Sequence, residues 1–79
     1  MASKRMTTGK VLKLFRLSVG ENFTASDLAE KIGVSKAYIS AVENNKREPG
    51  IKGLKKFSEA FNVPVYVIVR IVEEANENS

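Results

Sequence analysis

The chain has 79 residues, of which 43% are hydrophobic, and contains neither Cys nor His. That length suits one compact domain with a thin core, and the missing thiols and imidazoles exclude disulfides, zinc fingers and Ser-His or Cys-His catalysis. The net charge of +4 is unevenly spread: residues 1–56 hold 12 of the 13 basic side chains against five acids, whereas residues 57–79 hold Arg70 against Glu59, Glu73, Glu74 and Glu77. Such asymmetry points to one part facing a polyanion and an acidic part turned away from it, although ordinary solubilising charge would read the same way. No apolar run approaches the roughly 20 residues that span a bilayer, and residues 1–8 lack an apolar signal segment, so a cytoplasmic protein is expected. Without a covalent or metal staple, a second copy is the expected supplement to the small core.

Residues 1–8, with Lys4 and Arg5, show no apolar period and read as a flexible basic arm ahead of one domain at 9–79. From Val11 the pattern is helical, with Val11, Leu14, Phe15, Ser18 and Val19 on one face; Gly20 and Asn22 end it. The second helix has a complete start signal. Thr24 caps it, Asp27 three residues on returns the bond, and Phe23 packs on Leu28 as a staple. It spans about 25–32 and stops at Gly33, suited to the left-handed conformation. Ser35 caps a third helix at about 36–44, with Ile39 and Val42 as its apolar pair. Residues 44–50 (NNKREPG) are turn chemistry carrying two basic side chains. Ile51, Leu54, Phe57 and Phe61 define a fourth helix, ended by Asn62, and Pro64 suits the first turn of a fifth.

The fifth segment, 65–72 (VYVIVRIV), is a strand by composition, because β-branched residues dominate it. By pattern it is equally a helix with two apolar faces: Val65, Ile68, Val69 and Val72 on one, Val67, Ile71 and Ala75 on the other. Four preceding helices and the unbroken acidic tail favour a helix at about 64–76, and hence an all-α, five-helix fold. With the first face sealing the core, Val67, Ile71 and Ala75 are left for a dimer interface.

Two short helices joined by a glycine turn and followed by a basic loop form a helix-turn-helix arrangement. The stretch 23–49 (FTASDLAEKIGVSKAYISAVENNKREP) resembles the Cro/repressor-type (XRE-like) helix-turn-helix family of bacterial and phage regulators. The family's apolar positions fall on Leu28, Ile32, Val34, Ile39 and Val42, its small residue on Ala29 and its turn glycine on Gly33. Each also has a physical reason: Ala29 lets the third helix cross close over the second, and Gly33 supplies positive φ. The resemblance runs from about residue 10 to 69. It departs at Ala25, where the family usually has Gln, and at Glu21 and Asn22, which lengthen the first interhelical loop; a base contact from the second helix is therefore in doubt.

With Ile39 and Val42 inward, about 100° per residue turns Ala37, Ser40, Ala41 and Asn44 outward, with Lys36 at the exposed start. The family places those first residues in the major groove, where Lys36 can donate to guanine, Ser40 to either kind of base edge, and the Ala37 and Ala41 methyls can pack on thymine methyls. Helix propensity alone would also explain the alanines. Tyr38, Asn44, Lys46, Arg47 and Lys52 are candidate backbone contacts, Tyr38 doubling as a core residue; Lys4 and Arg5 resemble groove-seeking arms. The resemblance also implies an ion pair between Arg16 and Glu43.

These readings imply a homodimeric, sequence-specific transcriptional regulator of double-stranded DNA on a pseudo-palindromic operator, acting as a small autoregulator such as a phage or mobile-element repressor or a restriction-modification controller. The alternative is an antitoxin of the same fold whose acidic C-terminal part holds a protein toxin. No cofactor, metal, membrane or small-molecule ligand is expected. An enzyme is set aside, since catalysis would need carboxylates or Lys and the sole Asp, Asp27, serves as a cap.

Overall fold

Five helices account for the secondary structure of residues 6–77, the part of the chain that the computed structural model describes: α1 (Thr8–Val19), α2 (Ala25–Ile32), α3 (Lys36–Glu43), α4 (Ile51–Phe61) and α5 (Val65–Glu77). The helices begin and end where local chemistry directs. Thr24 Oγ1 accepts from the Asp27 N–H at 3.1 Å while Asp27 Oδ2 accepts from the Thr24 N–H at 2.9 Å, a complete capping box. Gly33 at φ 75° and Asn62 at φ 57° take the left-handed conformation that stops α2 and α4. Segment 65–72 is helical, not a strand: its β-branched residues are drawn into a helix by packing on α1 and α4, with Ile68 fully buried.

The core takes residues from all five helices: Val11 and Leu12 from α1, Leu28 and Ala29 from α2, Ile39 and Val42 from α3, Phe57 from α4 and Ile68 from α5. Phe57 and Phe61 stack at 6.3 Å, and Phe15 stacks on Phe61 at 5.6 Å, tying α1 to α4.

Three expectations are corrected. First, α1 starts earlier than its apolar pattern, because Thr7 Oγ1 accepts from the Lys10 N–H at 3.1 Å; Thr7 and Thr8 are thus cap and first turn instead of arm. Second, the buried residues of α1 are Gly9, Val11, Leu12 and Arg16; Val11 is inward as expected, whereas Leu14 and Val19 are 51% and 55% exposed. Apolar residues surround α1, and its orientation is set by two features outside that pattern: close approach at Gly9 and the reach of Arg16 to α3. Third, the two faces of α5 are less separate than the spacing suggests. Val65, Val67, Val72 and Ala75 are half-buried, while Val69 joins Ile71 and Tyr66 among the exposed residues.

Candidate nucleic-acid interface

The turn between α2 and α3 is tight because Gly33 carries positive φ and its N–H, with that of Val34, returns to the Ala29 carbonyl. Ser35 Oγ then accepts from the Tyr38 N–H at 3.0 Å and caps α3, which starts at the next residue, Lys36. Ile39 and Val42, both fully buried, orient the helix, so Lys36, Ala37, Ser40 and Asn44 are exposed together. Ala41 differs from the expected outward position. It is half-buried because its carbonyl accepts from the Lys46 and Arg47 N–H groups at 2.8 and 3.2 Å, folding the following turn back over it.

An ion pair holds α3 against α1. Arg16 Nε donates to Glu43 Oε2 at 2.8 Å and Nη2 to Oε1 at 3.0 Å, with the two side chains 11% and 7% exposed. The remaining Nη1 donates to the Phe23 carbonyl at 2.8 Å, securing the loop before α2 as well. Hydrogen bonding to Glu43 raises the Arg16 pKa, with the opposing carboxylate charge acting the same way against desolvation.

The expected backbone-contacting residues flank α3. Lys46, Arg47 and Lys52 are exposed, and the left-handed Asn45 at φ 64° turns the chain towards α4. Tyr38 is half-buried, stacked on Phe57 at 6.4 Å, and the Arg47 guanidinium lies 5.2 Å from its ring centroid. Its hydroxyl lies over Gly53, where an added Cβ would come within 2.7 Å of the oxygen. Lys4 and Arg5 fall outside the described residues. Motif matching does not reveal the roles of Phe23, which supplies its carbonyl, or of Gly53, whose place inside an amphipathic helix is the only sequence signal. Ile51, expected on the apolar face of α4, is 76% exposed at the start of that helix, beside Lys52.

An exposed helix, fixed to its predecessor through a glycine turn and bordered by basic side chains, defines the reading unit of a helix-turn-helix domain. A helix-turn-helix family model matches residues 10–68, and the chain belongs to the Cro/repressor-type helix-turn-helix family, which is non-enzymatic. Among its relatives is the HTH-type transcriptional regulator SinR of Bacillus licheniformis, 36% identical over 67 residues, or 84% of this chain and 59% of that protein. The crystal structure of SinR in complex with DNA is similar at 34% identity and TM-score 0.71, covering 80% of this chain and 98% of that one. The wild-type restriction-modification controller protein C.Esp1396I is similar at 29% identity and TM-score 0.72, covering 86% and 87% of the two chains. This chain spans little more than half the length of the SinR proteins it matches.

Proposed function

We propose that this protein binds double-stranded DNA sequence-specifically through α3 and regulates transcription as a homodimer on a pseudo-palindromic operator. The observation that carries the reading is the joint exposure of Lys36, Ala37 and Ser40 on a helix whose opposite side is buried, between Lys46, Arg47 and Lys52. Lys36 and Ser40 read base edges, with Ala37 and the margin of Ala41 against methyl groups. Arg47, Lys46, Lys52 and the Tyr38 hydroxyl meet phosphates. The described SinR–DNA complex supports the partner, and the similarity to a restriction-modification controller supports a small autoregulator. A cytoplasmic location accords with a DNA partner; among the described residues no helix is long and apolar enough to cross a membrane.

The homodimer rests on α5. Ile71 is 37% exposed and borders an apolar recess of about 280 Å³ lined by Met6, Val11, Leu14, Phe15 and Ser18. A second copy pairing there through Ile71, with Val67 and Ala75 at the margin, covers this surface and Leu14. A two-fold dimer reading half-sites one turn of DNA apart holds its recognition helices about 34 Å from each other. The toxin-binding alternative has no comparable observation behind it. Selection from random duplex DNA tests the proposal: a pseudo-palindrome with half-sites about one helical turn apart is expected, and no enriched sequence would contradict it.

A further inference from the structure

A polar pair at the C-terminal end of α3, Ser40 and the capping residue Asn44, bears on how the helix reads a base. Asn44 turns its side chain back along the helix, with Nδ2 donating to the Ser40 carbonyl at 2.9 Å and to Ser40 Oγ at 3.3 Å. A carbonyl oxygen only accepts, so the chemistry requires the amide to present its NH2 group there. The serines inside α1 and α4 differ: Ser18 Oγ donates to the Phe15 carbonyl and Ser58 Oγ to the Lys55 carbonyl, both at 2.7 Å. Ser40 Oγ instead receives a hydrogen bond from its own helix. A hydroxyl has one O–H and two lone pairs; with the Asn44 N–H on one lone pair, the Ser40 O–H turns away from that hydrogen, towards the exposed side.

We propose that Asn44 is a positioning residue that sets Ser40 as a hydrogen-bond donor towards the major groove. Ser40 thereby favours a base edge offering an acceptor, such as guanine N7 or O6, adenine N7 or thymine O4, over the amino group of cytosine. The inference rests on the DNA-binding reading above and sharpens it, because an unrestrained serine hydroxyl accepts or donates to either kind of edge. It also moves Asn44 away from the phosphate contacts expected from the sequence. Its NH2 is engaged with Ser40, and its remaining oxygen is an acceptor, as phosphate oxygens are.

The test compares the parent, Ser40→Ala and Asn44→Ala on the selected operator with each base pair varied in turn. Ser40→Ala is expected to flatten preference at one pair per half-site, and Asn44→Ala to reduce discrimination there by about 3- to 10-fold while leaving the other positions and the salt dependence unchanged. Thermal melts establish that both variants fold. A second measurement needs no variant: in the parent, replacing the base at that pair by the analogue that lacks its acceptor (a 7-deazapurine for purine N7, 2-aminopurine for guanine O6 or 5-methylpyrimidin-2-one for thymine O4) is expected to weaken binding by a similar factor. The proposal is overturned if Asn44→Ala weakens all sequences alike, as a phosphate contact would, if its profile matches the parent, or if no acceptor-deleted analogue weakens binding. Loss of the Ser40 effect while Lys36→Ala still alters preference overturns this proposal and leaves the DNA reading intact; a parent without sequence preference overturns that reading as well.

Discussion

Arg16 on α1 and Glu43 on α3, 27 residues apart, meet through two charge-assisted hydrogen bonds, with the third arm of the guanidinium on the Phe23 carbonyl. One side chain thus fixes the recognition helix, the first helix and the loop before α2 relative to one another. Glu43→Ala leaves a largely buried cation without its carboxylate, and a loss of about 3 kcal/mol is expected, lowering the melting temperature by about 10 °C or more. The double substitution Arg16→Met, Glu43→Leu is expected to recover most of that loss, because an apolar pair has no charge to desolvate. Thermal denaturation by circular dichroism of the two variants and the parent checks both outcomes.

Gly9 is another point where α1 meets α3. A Cβ there would run into the Val42 carbonyl oxygen and come within 2.9 Å of Asn45 Oδ1. Since the first obstacle is backbone, Gly9→Ala is expected to cost about 1 to 3 kcal/mol in chemical denaturation and to disturb the turn carrying Lys46 and Arg47. Gly20 makes the contrast: its φ of 168° is extended and nothing lies within 4 Å of an added Cβ. Gly20→Ala is expected to leave the denaturation midpoint close to that of the parent.

Dimerisation through α5 makes a separate prediction. Ile71→Glu puts a charge on an exposed side chain at the proposed two-fold contact, so the monomer should keep its melting behaviour while sedimentation shows the dimer shifted towards monomer. Val67 is half-buried within its own chain, and Val67→Lys is therefore expected to lower monomer stability as well. A dimer unchanged by Ile71→Glu at low micromolar concentration would place the interface elsewhere.

The parts of the fold legible in the sequence are those governed by neighbours in the chain. Thr24 with Asp27, Gly33, Ser35 and Asn62 mark helix ends because caps act over three or four residues, and the bounds of α2 follow directly. The face of α1 is only partly legible from its apolar period: Val11 is buried as read, but Arg16 points inward to a partner far along the chain and Gly9 is inward through having no side chain. The exposure of Val69 follows from how α5 lies on α1 and α4, which periodicity does not encode. Ser40 and Asn44 have the i, i+4 spacing of helix neighbours, yet spacing alone does not say whether the amide turns to the helix or to solvent. Tyr38 was expected at both core and backbone; its stacking between Phe57 and Arg47 shows the aromatic contact on each side.

Base reading and backbone contact are separable by substitution. Lys36→Ala is expected to relax preference at particular base pairs, at a cost of about 1 to 3 kcal/mol for the favoured base, whereas Arg47→Ala is expected to weaken all sequences by a similar factor. Competition binding against a panel of operator variants distinguishes them. Relative preferences unchanged by Lys36→Ala would remove that residue from base reading.

The central claim, that this domain holds duplex DNA through its basic surface around α3, is tested most directly by the salt dependence of equilibrium binding to the selected operator. A dimer neutralising about eight phosphates is expected to give a slope of log K against log salt near −7. A slope near zero on that duplex would contradict the account.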